Sequence, residues 1–146
     1  MATNSDDIVY QFVYAEGSDA IPRMARMLLV DKCITDINIK DSDGKTALYY
    51  QARYGTTGIM EWLLMQDPPA YIDIRNPSQW TPLMHAAWSD TLSDPEGKVR
   101  LLIEYGADRD LQDVKGLTAL SYARSRNKKP AAVIDLLENY RPDVSR

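Results

Sequence analysis

Apolar clusters return along this chain at a near-constant interval, separated by polar, turn-rich stretches. Four of them close on a leucine pair: Met27-Leu28-Leu29, Trp62-Leu63-Leu64, Arg100-Leu101-Leu102 and Asp135-Leu136-Leu137. Between the pairs a second phrase recurs: Gly44-Lys45-Thr46-Ala47-Leu48, then Gln79-Trp80-Thr81-Pro82-Leu83, then Gly116-Leu117-Thr118-Ala119-Leu120. From Thr46 to Thr81 and from Thr81 to Thr118 the steps are 35 and 37 residues. A period in this range is the mark of stacked supersecondary units. Each unit runs from the Thr to the leucine pair and then through a polar loop. The Thr hydroxyl can accept from the free N–H groups of a first turn. Pro82 fits the first helical position, where its missing N–H costs nothing. Ala86 and Ala87 are small, so two helices can approach closely there. Leu48, Leu83 and Leu120 face neighbouring helices and join one unit's core to the next.

The start of the chain is less regular. Ser5-Asp6-Asp7 reads as an N-cap with an acidic first turn. Ile8, Val9, Phe12 and Val13 then form an apolar stripe at helical spacing.

The second copy of the phrase continues as Thr81-Pro82-Leu83-Met84-His85-Ala86-Ala87, which resembles the helix start of ankyrin repeats. Tyr105-Gly106-Ala107-Asp108 resembles the loop after the family's second helix. Asp36-Ile37-Asn38 and Asp73-Ile74-Arg75 resemble it more loosely. Two extra residues in Asp67-Pro68-Pro69-Ala70-Tyr71, and four near 90–97, account for steps longer than a unit of ~33 residues. Loop insertions of this kind are tolerated. The resemblance implies an all-α ankyrin-repeat solenoid of about four helix-turn-helix modules with hairpin loops. The boundaries are 1–40, 41–75, 76–112 and 113–146. The outer modules serve as caps, as terminal repeats do, and Arg124, at the second Ala position of the last one, is turned outward.

The resemblance also implies a binding face, because the hairpin tips and the exposed side of the first helices form a concave surface in this family. The tip positions just before each Thr are Lys45, Trp80 and Leu117. The outward positions two residues after each helical Leu are Tyr50, His85 and Tyr122, expected as a row across the stack. Beyond the Ala pair lie Arg53 and Tyr54, Trp88 and Ser89, and Ser125 and Arg126. Trp80 has two readings, packing on the next hairpin or contact with a partner. Trp88 either contacts a partner or covers the insertion near 90–97. Trp62, in the leucine-rich second helix, is expected in the core. The His that ankyrin repeats often carry one position earlier is replaced here by Tyr49, Met84 and Ser121. Hairpin anchoring is then weaker, or another group supplies it.

Composition narrows the chemistry. The chain has 146 residues, 45% hydrophobic and 26% charged, as a folded domain does. Its net charge of −4 disfavours nucleic acid, whose phosphates need a basic surface, and leaves room for a basic protein partner. Nine Tyr and three Trp stand against one Phe. Such side chains suit half-wet interfaces better than dry cores.

No apolar run approaches the ~18 residues of a membrane span. The polar, acidic start lacks the features of a secretory signal. One cysteine, Cys33, allows no intrachain disulfide and no cysteine metal cluster. A reducing compartment, cytoplasm or nucleus, is the simplest setting. Asp41-Ser42-Asp43-Gly44 resembles the opening of a calcium loop but lacks its third oxygen ligand and its closing Glu. It fits a repeat hairpin better. Asp90, Asp94 and Glu96 read as a solvated turn.

His85 is the only histidine, so any Ser-His-Asp or Cys-His site would have to use it. It is read as a contact residue or a bystander ahead of a catalytic base. The expected function is non-enzymatic protein binding, without cofactor or metal. The protein would be a monomer when unbound and would act as inhibitor, assembly chaperone or adaptor. The alternatives are a homo-oligomer using the Tyr-rich face on itself, and an enzyme using His85.

Overall fold

A computed structural model of the chain describes residues 5–89, 94–125 and 131–142. Among them are eight helices and no strand. They are α1 (Ser5–Val13), α2 (Ala20–Leu29), α3 (Ala47–Tyr54), α4 (Thr57–Leu64), α5 (Pro82–Trp88), α6 (Pro95–Glu104), α7 (Ala119–Ser125) and α8 (Ala131–Asn139). They form four consecutive pairs in two layers. α1, α3, α5 and α7 pack side by side in one layer, and α2, α4, α6 and α8 in the other.

None of these helices exceeds 10 residues. Isolated helices this short are marginal in water, so stacking must hold them. The core runs unbroken through the stack, from Phe12 and Met24 through Leu48, Leu63 and Leu83 to Leu102 and Val133.

The Thr positions act as the sequence requires. Thr46 accepts from Tyr49 N and Thr81 from Met84 N, each at 3.3 Å. Thr118 accepts from Ser121 N at 3.3 Å. Pro82 opens α5. Leu48, Leu83, Ala86 and Ala87 are buried, while Leu120 and Trp62 are half-buried against the core. α6 is opened by Asp94, whose carboxylate accepts from Gly97 N at 3.1 Å, so this member of the acidic turn is a helix cap. Glu96 pairs with Arg100 at 3.6 Å. Asp90 lies outside the described residues.

Two expectations need correction. The leucine pairs are not in one register. The returning loop donates an N–H to Met27 O, Leu63 O and Leu102 O in successive pairs, at 3.3, 3.1 and 2.9 Å. The equivalent pairs are therefore Met27-Leu28, Leu63-Leu64 and Leu102-Ile103. A shift of one residue turns a side chain by about 100° around a helix. Leu29 accordingly stands 67% exposed, while Ile103 takes a core position.

The second correction concerns the tips. Asp41 N bonds to Lys45 O, Asn76 N to Trp80 O and Asp113 N to Leu117 O, at 2.9 to 3.1 Å. Lys45, Trp80 and Leu117 thus close the base of each hairpin. The tips proper are residues 42–43, 77–78 and 114–115, two to three residues earlier.

Each hairpin is a three-residue loop whose last loop residue has positive φ: Gly44 (78°), Gln79 (64°) and Gly116 (76°). Glycine adopts this shape freely, whereas a side chain there costs about 1–2 kcal/mol. In the second hairpin the Gln79 side chain offsets part of that by accepting from Arg75 Nη1 at 3.2 Å.

Candidate functional site

The first residues of the three hairpins, Asp41, Asn76 and Asp113, sit five residues before Thr46, Thr81 and Thr118. They repeat at the same 35- and 37-residue steps. Each turns a side-chain oxygen inward to hold its loop. Asp41 Oδ1 accepts from Asp43 N and Lys45 N, and Asp113 Oδ1 from Lys115 N and Leu117 N, at 2.9 to 3.0 Å. Asn76 Oδ1 accepts from Trp80 N at 2.8 Å. The acidic stretch 41–43 is therefore engaged in building a turn.

A tyrosine hydroxyl then clamps each hairpin. Tyr14 OH, just past α1, donates to Asp41 Oδ2 at 2.5 Å. Tyr49 OH, on α3, accepts from Asn76 Nδ2 at 2.5 Å. Tyr122 OH, on α7, donates to Asp113 Oδ2. Tyr14 and Tyr49 occupy equivalent places, one repeat apart, and each reaches forward from one module into the hairpin of the next. At the third such place stands Met84, which has no hydroxyl. Tyr122 serves instead, from within its own module. In the central clamp the group that replaces the missing histidine is thus Tyr49, in the slot that the histidine would fill, whereas Tyr122 stands one position past that slot, which Ser121 holds.

His85 completes the central clamp, with Nε2 against Tyr49 OH. Trp80 N fixes the orientation of the Asn76 amide, so Nδ2 is the donor to Tyr49. The Tyr49 proton must then go to His85 Nε2, which leaves the imidazole neutral with its hydrogen on Nδ1. Burial drives the His85 pKa down to about 3, and the charges of Arg53 and Lys45 push the same way. No carboxylate pairs with His85 among the described residues, so the pair on which the enzyme reading depends is not formed there.

The clamp tyrosines respond to the same environment. Tyr49 is pushed up to about 12 by burial. Tyr122 reaches about 12 through burial and the Asp113 charge. Tyr14 is raised by burial and by Asp41. Burial works against ionised Asp41 and Asp113, but the bonds they accept outweigh it and hold both below the usual range.

The aromatic rings on this side form two ladders. In the first, Tyr10 stacks on Tyr14 at 4.6 Å, Tyr14 meets Tyr50 edge-on at 4.6 Å, and Tyr50 leans on Tyr54 at 5.5 Å. In the second, Tyr49 meets His85 at 4.1 Å, Trp80 lies 4.7 Å from His85 and 4.4 Å from Tyr122, and Trp88 is 5.8 Å from Tyr122. The expected single row of Tyr50, His85 and Tyr122 is thus divided. Tyr50 belongs to the first ladder and the other two to the second, because His85 is drawn to Tyr49.

Tyr10 (62%) and Tyr54 (64%) are the exposed ends of the first ladder. Tyr50, Trp80, His85, Trp88, Tyr122 and Lys45 are half-buried, and Leu117 is exposed. Arg53 is also half-buried. It donates to Trp88 O at 3.0 Å and lies over the Tyr54 ring, so it ties α3 to the end of α5. Arg124 is exposed and pairs with Glu138, as an outward position allows. Arg126 lies outside the described residues.

Sequence reasoning passed over three further groups and named Tyr49 only as the residue in the histidine slot. Asn76 and Tyr49 carry the central clamp, and the phase of Asn76 relative to Thr81 could have marked it. Gln51 is fully buried, donating to Ala15 O at 2.6 Å and accepting from Thr56 N at 3.3 Å. Lys98, buried on α6, has its pKa lowered to about 8 by burial, which nearby Asp94 partly offsets and Arg53 reinforces.

Four helical pairs, stacked in two layers with hairpins along one edge, define a helical repeat solenoid. The sequence profile described as "Ankyrin repeats (3 copies)" matches residues 3–94, and "Ankyrin repeat" matches residues 78–114. The chain belongs to the ankyrin repeat family. Among solved structures it is similar to that described as "Crystal Structure of EF0377 an Ankyrin Repeat Protein", with a TM-score of 0.74 and 26% identity. The match covers 92% of this chain and 64% of that one, so this chain spans just under two thirds of its relative's length. No curated protein sequence matches the chain significantly. Ankyrin repeats generally mediate protein–protein interactions. No helix among the described residues is long and apolar enough to cross a membrane.

Proposed function

We propose that this chain is a non-enzymatic binding module. It occupies a protein partner through its concave side and acts as an inhibitor, an assembly chaperone or an adaptor. The observation that carries this reading is the pair of aromatic ladders along the hairpin and first-helix side, the first ending in exposed Tyr10 and Tyr54 and the second carrying half-buried Trp80, Trp88 and Tyr122. Tyr, Trp and Arg supply most of the energy at protein interfaces, where single truncations cost on the order of 2 kcal/mol. Here their partners in the stack already fix their rotamers, so binding them costs little side-chain entropy.

The contact set is Lys45, Tyr50, Arg53, Tyr54, Trp80, His85, Trp88, Leu117, Tyr122 and Arg126. Trp80 and Trp88 are its anchors, and Arg53 and His85 brace them through Trp88 O and the Tyr49 hydroxyl. A net charge of −4 supports a basic partner over nucleic acid. A monomer in a reducing compartment, cytoplasm or nucleus, fits the single exposed Cys33.

The test is affinity capture by the wild-type chain beside Trp80→Ala/Trp88→Ala. The double variant should weaken the captured interaction at least tenfold, about 1.4 kcal/mol, with helicity kept. Trp80 also packs on Tyr122, so Leu117→Ser serves as a second variant on an exposed residue. Undiminished binding by both would move the site off this face.

A further inference from the structure

The hairpins form a row whose first member has no hairpin before it among the described residues. In the third hairpin Val114 N donates to Ser78 O of the second at 3.2 Å, so an N–H at this place can be handed back to the hairpin before it. Pro77, at the matching place in the second hairpin, has no N–H to give and sits on the first hairpin near Gly44. Ser42 holds that place in the first hairpin. Ser42 lines the groove between α1 and residues 40–43, and its N–H makes no bond among the described residues.

That groove encloses about 540 Å³. Tyr10 and Tyr14 wall one side of it, stacked at 4.6 Å and continuous with Tyr50 and Tyr54 on the concave face. Its rim carries Asp6, Asp7, Asp41 and Asp43 against one cation, Lys40. The Asp41 oxygens are consumed by the hairpin and Tyr14, whereas the Asp7 and Asp43 carboxylates make no ion pair among the described residues. Flat aromatic faces beside unpaired carboxylates attract a cation that can shed part of its water, and guanidinium does so most readily. An open backbone donor attracts an extended chain.

We propose that this groove seats an extended, arginine-bearing segment of a protein partner. One of its carbonyls takes the Ser42 N–H, and its guanidinium lies on the Tyr10–Tyr14 stack between Asp7 and Asp43. The proposal rests on the concave side being the partner's side and locates the basic part of the partner at its N-terminal end.

The test is a titration of the full-length ¹⁵N-labelled chain with the peptide Gly-Arg-Gly-Arg-Gly, followed by amide shifts at low salt, with Gly-Glu-Gly-Glu-Gly as control. Saturable shifts centred on Tyr10, Ser42 and Asp43 are expected with the arginine peptide alone. Tyr10→Ala and Asp43→Asn should each weaken binding about three- to tenfold. Ser42→Pro installs the residue that the second hairpin already carries, so it should keep the fold and weaken binding by a similar factor. Shifts spread over acidic residues of the whole surface, equal binding of the glutamate peptide, or unchanged affinity in Ser42→Pro and Asp43→Asn would overturn it. So would shifts at Ser42 that grow with chain concentration alone, which would mean that a second copy fills the groove. Loss of capture by Trp80→Ala/Trp88→Ala while these variants bind the peptide normally would leave the concave-face reading intact and remove only this one.

Discussion

The second and third hairpins share a backbone and differ in who holds them. Residues 76–80 are held from the preceding module, by Tyr49, with His85 of their own module as a second support. Residues 113–117 are held by Tyr122 of their own module, because Met84 stands where a forward-reaching tyrosine would be. A clamp that crosses a module boundary couples the stability of two units. A clamp within a module tightens only its own turn. The boundary between the third and fourth modules is bridged instead by the Val114–Ser78 backbone bond and by Trp80 packed on Tyr122. The same local shape can therefore be a joint of the array in one place and a private brace in another.

Four substitutions probe that difference. Tyr49→Phe leaves the Asn76 amide and His85 Nε2 without their partner. It should cost about 2–4 kcal/mol in urea unfolding and lower amide protection on both sides of the 76–80 hairpin. A loss confined to the hairpin would break the comparison.

The second probe is pH. Unfolded His85 takes a proton near 6.5, whereas the folded site refuses it until about 3. Between those values the unfolded state binds more protons, so stability falls as pH falls, by about 2–3 kcal/mol at pH 4.5. His85→Gln should remove this slope while keeping an acceptor for Tyr49, and an unchanged slope would refute the neutral central clamp. Asp41 and Asp113, held below the ordinary carboxylate range, add their loss only at lower pH.

Tyr122→Phe should cost about 1 kcal/mol, with amide protection falling in 113–125 and unchanged in 41–75. Gln79→Gly should raise stability by about 0.5–1 kcal/mol. It relieves the one hairpin that carries a side chain at positive φ, and calorimetry would read the shift.

Much of the scaffold was legible because it depends on local chemistry. Thr46, Thr81 and Thr118 cap helices through a hydroxyl one turn away, and Pro82 starts a helix for reasons confined to its own ring. Such rules need no knowledge of the neighbours. The register of the leucine pairs was misread because Leu28-Leu29 looks like Leu63-Leu64 in isolation. Only the loop returning to Met27 O decides which face is inward. The tips were misplaced because a Thr marks where a helix begins but not how many residues the preceding loop needs to close.

The candidate face was legible as a set of positions and not as an arrangement. Tyr50, His85 and Tyr122 share a helix phase, yet one strong hydrogen bond to Tyr49 assigns His85 to a different ladder from Tyr50. Arg53, read as a contact residue, spends its guanidinium on a carbonyl 35 positions away. Contacts of that range leave no periodic trace in a single sequence.

Arg109 carries a consequence in time. Its guanidinium donates to the carbonyls of Leu136, Leu137 and Tyr140 at 3.2, 3.4 and 2.7 Å, fastening the end of α8 to the loop after α6. On a ribosome the arginine is made well before its acceptors, whose carbonyls follow only 27 to 31 residues later in the chain. Until they do, the third module has its helices but not this fastening. An array that grows from its first module outward is thus locked from its last. A chain stalled before residue 136 would present a stack with nothing to receive the Arg109 guanidinium.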